Sequence, residues 1–579
     1  MSDISAIRHT LAHLLAQSVL ESYPKAILTL GPAIDNGFYY DVDFGADKIS
    51  DTELKGFQKT MRKSLSKWTE FTHEEVSLEE ALSKFADNPY KSELIREIAE
   101  RGEKITLYTC GGFTDLCRGG HAENPAEEID ADSFKLDRVA GAYWRGDEKN
   151  TMLTRIYGLA FETKEALDAY LVQREEAIKR DHRKVGIEQD LFTFSDLVGS
   201  GMPLYTPRGN IVRNAIINYS RELNTRLGFG EVHTPNVNKA ELFKISGHYD
   251  AYKEDMMSVR SQYVEDEMFL KPMNCPQHTQ IFASRPRSYR DLPIRYADFA
   301  NLYRDERPGQ LSGLTRLRSF AQDDGHIFCR EDQVEGELLN VLDVVKDALQ
   351  TYGVGYWIRL SLRDPNKKEK YLGSDEDWDR SENQLREVLE KSGVEYKPAE
   401  GEAAFYGPKL DIMAVDALGR EWQISTVQVD RTMPGRFGLE FTGEDGAKKT
   451  PVMIHRALIG SPDRFMGILI EHYAGAFPVW MAPVQVRVLP VSEKHSEYAA
   501  NVTDTLLSSG IRADMDDSDS LGKRIRGVKV QKLPYYIVVG DEEVNANTVT
   551  IENRLGDKKT EDVQVFIEQL KQDIASRSL

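Results

Sequence analysis

Three groups of residues in this 579-residue chain have side chains suited to chemistry. The stretch from Phe299 to Cys329, FANLYRDERPGQLSGLTRLRSFAQDDGHIFC, gathers Arg304, Glu306, Arg316, Gln322, Asp324 and His326. Two guanidiniums facing a carboxylate, an amide and an imidazole suit a ligand that is part phosphate and part zwitterion. Near the front, His9 and His13 are four residues apart, as are Cys117 and His121 beside Asp115. An HxxxH with a CxxxH offers four zinc donors or the lining of a polar catalytic pocket, with GFYYD (Gly37 to Asp41) between them and Lys91 as a further cation. The third group is dispersed: Cys275 in FLKPMNCPQHTQIF, His326, and His455 in VMIHRALIGSPDRF. A lone cysteine is more often a buried small hydrophobe than a ligand. With two histidines, however, it would hold zinc and leave one coordination position open.

The elements that position these groups can be read from periodicity. Residues 4–20 place Ile4, Ile7, Leu11, Leu14 and Leu15 at helical spacing, with Ser2 or Asp3 as cap, so His9 and His13 share a helix face. The Phe299–Cys329 stretch reads as a hairpin: a strand ending in Arg304 and Glu306, a turn over 308–313, and a second strand from Leu314 to Phe328. Pro272 and Pro276 around Cys275 predict irregular backbone. AFYGPKLDIMAVDALGREWQISTVQVD predicts two antiparallel strands joined at Asp416–Gly419, which would carry Tyr406, Lys409, Gln423 and Gln428 on or near one sheet. A helix is expected after Ser461-Pro462, with Arg464 in its first turn, where a phosphate would also meet free backbone N–H groups.

Length and composition bound the rest. The chain is long enough for three or four domains at roughly 100–200 residues each. Four cysteines without a CxxC exclude a disulfide framework, and neither a leader nor a run of 18 apolar residues is present, so a soluble, cytoplasmic protein is expected. A net charge of −20 argues against indiscriminate polyanion binding. Locally, LGKRIRGVKVQKLP (521–534) has five basic residues and no acidic one, an attraction for a phosphate backbone. Lys164–Lys184 reads as a charged connecting helix ending near Gly186. A long amphipathic helix is expected from about Asn210 to Leu227, its apolar face packed on a sheet or on a second subunit. From Ala482, strands and helices alternate over roughly 100 residues, which predicts a small α/β domain.

YRDE with LRSFAQDDGHIF, GFGEVHTP, and LIGSPDRFMGILIEHYAG resemble the three signature motifs of class II aminoacyl-tRNA synthetases. KPMNCP, AFYGPK, WQISTVQVD and VMIHRALIGS resemble the threonyl-tRNA synthetase family specifically, and the likeness runs from HTLAHLLA to KLPYYIVVGDEEV. The resemblance implies an α+β multidomain fold. Residues 1–160 would be an α+β editing domain that hydrolyses seryl-tRNA, 161–184 a linker helix, 185–480 a catalytic antiparallel sheet flanked by helices, and 481–579 an α/β anticodon-binding domain. Family members usually begin with a further small domain, which is expected to be missing ahead of the HxxxH helix here.

The resemblance also implies roles for matching residues. Arg304 and Lys409 would bind the α-phosphate and carboxylate; Glu306, Arg316, Gln423 and Gln428 would position ATP with Mg²⁺; Arg464 would hold the γ-phosphate; and His248 would help deprotonate the tRNA ribose. Cys275, His326 and His455 would bind one zinc per chain, with Met273, Gln322, Asp324 and Tyr406 around the threonine. Zinc answers a discrimination problem, because a hydrophobic pocket separates threonine from isosteric valine by only ~10²-fold. Serine keeps both polar groups, so His9, His13, Lys91, Asp115, Cys117 and His121 would edit it. The resemblance implies metal-free hydrolysis there, although the spacing alone allows zinc. Lys523, Arg524, Lys532 and Arg554 would contact tRNA, and a homodimer is expected. Two departures stand out: Gly119-Gly120 replaces the usual Gly-Pro of the editing motif, and Glu552 stands where the family often has arginine.

Overall fold

A computed structural model describes residues 3–579, so the Ser2 alternative for the first helix cap lies outside the described residues. The chain divides into two compact units, one ending at Glu175 and one beginning at Glu176.

The first unit opens with α1 (Ile4–Ser22), whose Leu11, Leu14, Leu15 and Val19 are buried against an antiparallel sheet. Each such side chain contributes roughly 1.5–3 kcal/mol. This packing fixes which way His9 and His13 face. The unit continues with β1 (Gly37–Asp43), β2 (Thr72–Val76), α2 (Pro89–Glu100), β3 (Ile105–Cys110), β4 (Phe113–Leu116), β5 (Phe134–Tyr143) and β6 (Met152–Ala160). One sheet has β6 between β1 and β5, and a second runs β2-β3-β4.

The expected single linker helix is two helices, α3 (Lys164–Arg180) and α4 (His182–Glu188). The chain breaks at Asp181, whose side chain accepts the Arg183 N–H and so caps a new helix. Charge patterning alone gave no sign of that break. Next, α5 (Pro207–Arg226) starts at a proline capped by Thr206, and its Val212, Ile216, Tyr219 and Leu223 enter the unit's own core.

The main sheet of the second unit has eight strands. They are β7 (Gly230–Glu231), β8 (Ile294–Asp298), β11 (Asp324–Cys329), β16 (Val452–Ala457), β15 (Glu421–Asp430), β14 (Lys409–Val415), β12 (Gly355–Leu362) and β13 (Tyr396–Glu400) in spatial order, antiparallel except at the two outer pairs. Strands β9 (Asn301–Tyr303) and β10 (Ser319–Ala321) form a separate two-stranded ribbon. The hairpin expectation is corrected here: Arg304, Glu306 and Arg316 lie in the loop beyond the ribbon, and the second strand is interrupted at Gln322-Asp323 before β11 resumes in the main sheet. Between these elements, α6 (Cys275–Ala283) begins at the cysteine itself, so the irregular backbone expected there is a helix start. Proline is tolerated in a first turn because the N–H it lacks has no intrahelical acceptor there.

Alternation gives the large sheet two faces. Ile327, Ile454, Val427, Val429, Leu410, Ile412 and Leu360 point into the core with α7 (Val334–Thr351), α8 (Asp375–Ser392) and α9 (Pro462–His472). The opposite face carries polar rungs. Strand pairing aligns His326 with His455, His455 with Gln428, Gln428 with Lys409 and Lys409 with Ser361. A neighbouring rung aligns Asp324, Ala457, Thr426, Asp411 and Arg359.

The C-terminal region is a five-stranded mixed sheet of β17 (Val486–Pro490), β18 (Ala513–Met515), β19 (Tyr535–Val539), β20 (Val549–Asn553) and β21 (Lys558–Glu561), flanked by α10 (Ser496–Ser508), α11 (Leu521–Val530) and α12 (Val563–Ser576).

Candidate functional site

The polar face of the large sheet floors a cavity of 590 Å³ lined by Met273, Cys275, His248, Arg304, Gln322, Asp324, His326, Tyr406, Lys409, Gln428 and His455, among others. A second cavity of 540 Å³ shares Arg304, Glu306, Arg316, Gln322 and Gln423 with it and continues to Ser461 and Arg464. One cleft therefore joins an imidazole- and amide-lined end to a cationic end.

At the cationic end, Arg316 is paired with Glu306 at 2.8 Å, and the Arg304 guanidinium lies over the Phe320 ring. Arg464 rises from the first turn of α9, where Ser461 accepts its backbone N–H; its Nε has no hydrogen-bond partner among the described residues. Burial and the nearby Arg316 charge lower the Arg464 guanidinium from its ordinary value. Cations held close without full neutralisation make an anion site.

At the other end, the Cys275, His326 and His455 donor atoms lie within 4.8 Å of one another, together with other groups that constrain their protonation. His455 Nε2 is 3.0 Å from Asp430 Oδ2, and His326 Nδ1 is 2.7 Å from His278 Nδ1. If His455 and His326 donate those bonds, His455 Nδ1 and His326 Nε2 face each other as bare acceptors 3.1 Å apart. Two nitrogens on one tetrahedral zinc, each ~2.0–2.1 Å from it, sit about 3.3 Å apart. Burial pushes the Cys275 thiol well up, reinforced by the charges of Asp324 and Asp430, so a thiolate there calls for a cation beside it. Burial also drives His326 well down, keeping it neutral and able to ligate. The donor set fits a divalent metal.

His248 sits above these residues, its Nδ1 2.8 Å from Ser246 Oγ and its Nε2 3.9 Å from Cys275 Sγ. Burial, then His455, Arg304 and Arg436, lower its pKa to about 3, leaving a neutral ring at pH 7. Lys409 and Gln423 are more constrained than the sequence suggested. Both bind the fully buried Asp411, which also accepts from Arg359, Ser361 and Thr426. Tyr406 donates to Gln428 at 2.9 Å.

The first unit has its own cavity, 340 Å³, lined by His9, His13, Lys91, Asp115 and Cys117. Cys117 Sγ is 3.5 Å from His9 Nε2 and 3.3 Å from His121 Nε2, while Asp115 receives Lys91 at 2.7 Å and faces His13 at 3.3 Å. Burial alone would raise the Cys117 thiol, but contacts with His121, His13 and His9 pull it to about 3. Burial alone would lower His13, but Asp115 and Cys117 lift it to about 9. Both shifts favour the charged forms, a thiolate at Cys117 and an imidazolium at His13. Gly119 and Gly120 both have positive φ, +90° and +83°, a path closed to the proline usual at the second position. The loop here follows a glycine-specific route that brings the Gly119 N–H to Cys117 Sγ at 3.3 Å.

Comparison with known proteins follows this division. Residues 256–473 match the tRNA synthetase class II core domain (G, H, P, S and T), 485–577 an anticodon binding domain, and 105–157 the threonyl and alanyl tRNA synthetase second additional domain. A threonine–tRNA ligase of Rubrobacter xylanophilus is 49% identical over 576 residues, covering 99% of this chain and 89% of that protein. The chain belongs to the threonine–tRNA ligase family. A threonine–tRNA ligase of Thermus thermophilus is 47% identical over 590 residues, with 99% and 89% covered. The solved RNA binding domain of threonyl-tRNA synthetase from Cryptosporidium parvum matches with a TM-score of 0.65 at 38% identity, covering 68% of this chain and 98% of that one. As a family member the chain is an ATP-dependent ligase acting on threonine and tRNA, with a class II core and an editing-type domain. No helix among the described residues is long and apolar enough to cross a membrane.

Several residues escaped the sequence reading. Asp430, His278, Asp411 and Tyr40, which donates to Asp115 at 2.6 Å, all hold a candidate site residue in place. Signals existed: Asp430 is two positions beyond Gln428 on a strand, His278 is three beyond Cys275 on a helix, and Tyr40 lies in GFYYD. The basic residues near the C-terminus are distributed differently from expectation. Arg524 is buried and donates to the Asp516 carbonyl, Lys532 donates to the Ala474 carbonyl, and Arg554 donates to the Ala476 and Phe477 carbonyls. Lys523, Arg526 and Lys529 on α11 are exposed, and Glu552 is held between Lys529 and Lys558.

Proposed function

We propose that this chain activates threonine on the large sheet, rejects valine there with one zinc ion, and clears seryl-tRNA(Thr) in the cavity of its first unit. The observation that carries the reading is the strand register that puts His326 opposite His455 in a cleft whose other end is cationic. Residues 1–160, 161–184, 185–480 and 481–579 are proposed as editing, linker, catalytic and anticodon-binding parts.

In the first step the threonine carboxylate attacks the α-phosphate of ATP and displaces pyrophosphate, giving threonyl-adenylate, which demands neutralisation of charge more than a base. Arg304 meets the α-phosphate and carboxylate, with Lys409, anchored on Asp411, assisting. Glu306 and Arg316 hold the nucleotide with Gln423 and Gln428 alongside, and Arg464 takes the γ-phosphate, Mg²⁺ accompanying ATP. Cys275, His326 and His455 would hold the zinc, and a Lewis acid bound there would supply coordination to polar groups of threonine that valine lacks. Gln322, Asp324, Tyr406 and Met273 close around the amino acid. In the second step the neutral His248 ring accepts the proton of the tRNA ribose hydroxyl as that oxygen bonds to the threonyl carbonyl carbon and AMP leaves.

Serine lacks only a methyl, worth roughly 1 kcal/mol, so editing is needed. In the editing cavity, His9, His121 and the Cys117 sulfur orient water, while Lys91 and the His13 imidazolium, both held by Asp115, offset charge developing on the ester oxygen. Lys523, Arg526 and Lys529 on α11 suit the tRNA backbone by their exposure, with Lys523 and Lys529 in ion pairs with Asp519 and Glu552, whereas Arg524, Lys532 and Arg554 donate to backbone carbonyls. A cytoplasmic homodimer completes the proposal.

The test is amino-acid-dependent ATP–pyrophosphate exchange on protein with quantified zinc. Exchange strongest with threonine, weaker with serine, negligible with valine and dependent on about one zinc per chain is expected. Equal exchange with valine, or zinc-independent exchange, would overturn the metal's role.

A further inference from the structure

The geometry points to His182, at the start of α4, as a positioning residue that pins the loop carrying Arg316 for nucleotide binding. This inference rests on the proposed nucleotide reading of the Arg316–Arg464 end of the cleft.

The imidazole is buried, and both its nitrogens are committed. His182 Nδ1 lies 2.6 Å from Glu471 Oε1, and the same oxygen receives the His182 backbone N–H at 3.0 Å. His182 Nε2 lies 2.9 Å from the backbone nitrogen of Leu314. A backbone N–H can only donate, so Nε2 must be the acceptor and the ring's proton must sit on Nδ1, facing the Glu471 carboxylate. Burial pushes the Glu471 carboxyl up, but the bonds from His182 and the charge of Arg420 hold it below its ordinary value, consistent with a charged acceptor. Although Asp181, His182 and Glu471 are grouped closely enough to suggest a metal, these commitments leave the ring no lone pair to offer.

The bond to Leu314 matters because of where that residue sits. Ser312 and Arg316 bond to each other's backbones, and Thr315 N–H also returns to Ser312, so residues 312–316 form a closed turn. The Leu314 N–H points out of that turn to His182. Arg316, two residues on, lines the cleft and pairs with Glu306. Packing is equally specific: a Cβ on Gly313, whose φ is +48°, would come within 2.1 Å of His182 Nε2, and one on Gly467 of α9 within 3.2 Å of the Leu314 side chain. Because Glu471 and Arg464 share α9, His182 ties the turn to the helix that presents the second cation.

Asparagine and glutamine separate the two ring functions. In His182→Asn the amide nitrogen can still donate to Glu471, but nothing reaches Leu314; in His182→Gln the amide oxygen can reach Leu314. Pyrophosphate exchange at varied ATP and threonine is the measurement, with Arg464→Ala as reference. His182→Asn is expected to raise KM for ATP roughly tenfold, the loss of one buried acceptor, with kcat and KM for threonine within about twofold. His182→Gln should return KM for ATP to within about twofold of the parent. Gly313→Ala, which displaces the ring without touching it chemically, should match His182→Asn, and it carries the test if His182→Asn fails to fold. An unchanged KM for ATP in these variants while Arg464→Ala raises it would overturn the role of His182, as would equal damage by Asn and Gln. An unchanged KM in Arg464→Ala would instead remove the nucleotide reading beneath it.

Discussion

Asp430→Asn isolates the proposed zinc site from its own ligands. Asp430 Oδ1 accepts the backbone N–H groups of Thr432 and Met433, both at 2.8 Å, and Oδ2 faces His455 Nε2 at 3.0 Å. Asparagine can keep the first two bonds only with its oxygen at the Oδ1 position, which turns its NH₂ toward His455. The ring must then accept at Nε2 and carry its proton on Nδ1, the atom that would bind metal. Fold and burial are preserved, but the tautomer is wrong. Loss of such an outer partner typically costs 10–100-fold in metal affinity, about 1.4–2.7 kcal/mol. Competition with a chromophoric chelator, following zinc release at fixed pH, reads that change directly, and circular dichroism checks that the fold is retained. A well-folded Asp430→Asn protein with parental zinc affinity would refute the tautomer argument, and a zinc-replete Cys275→Ala protein would refute the site.

Other expectations concern the first unit and the C-terminal region. His13→Ala combined with Cys117→Ala should leave threonylation intact while seryl-tRNA(Thr) accumulates; undiminished clearance of seryl-tRNA would contradict the editing assignment. With its thiol at about 3, Cys117 should react with a small alkylating agent at a nearly constant rate from pH 5 to 8, whereas Cys110, pushed up to about 11 by burial, should stay inert; peptide mass spectrometry distinguishes them, and a Cys117 rate rising tenfold per pH unit would exclude the thiolate. Arg554→Ala should lower stability by about 1–2 kcal/mol in denaturant unfolding, through the lost bonds to Ala476 and Phe477, with little change in KM for tRNA.

Sequence pattern revealed more about strands than about loops and partners. The alternation in WQISTVQVD already implied that Gln423 and Gln428 sit on a half-polar strand, and the proline after Ser461 announced α9. By contrast, the pairing of His326 with His455 joins residues 129 apart, and only the sheet's register creates it. The hairpin expectation failed at Gln322-Asp323 because Asp323 leaves the strand pattern to accept from Ser220, Arg456 and the backbone of Leu458, an interaction between distant segments with no local signature. The helix break at Asp181 was hidden for a similar reason: the His182 ring answers to Glu471 and Leu314, hundreds of positions away in one case. The charge of Arg524, Lys532 and Arg554 was plain in the sequence, but not that backbone carbonyls of Asp516, Ala474, Ala476 and Phe477 accept from them.

The polar rungs across the large sheet make this chemistry intolerant of one particular kind of change. Because successive side chains on a strand point to opposite faces, deleting or inserting one residue within β11, β15 or β16 would turn His326, Gln428 or His455 inward and bring Ile327, Val427 or Ile454 out into the cleft. A one-residue change of length within a strand is therefore tolerated only where a bulge absorbs it, as β15 does at Ile424 against β14. Loops around this cleft are free of that constraint, because a change of length there leaves the polar rungs of the floor in register.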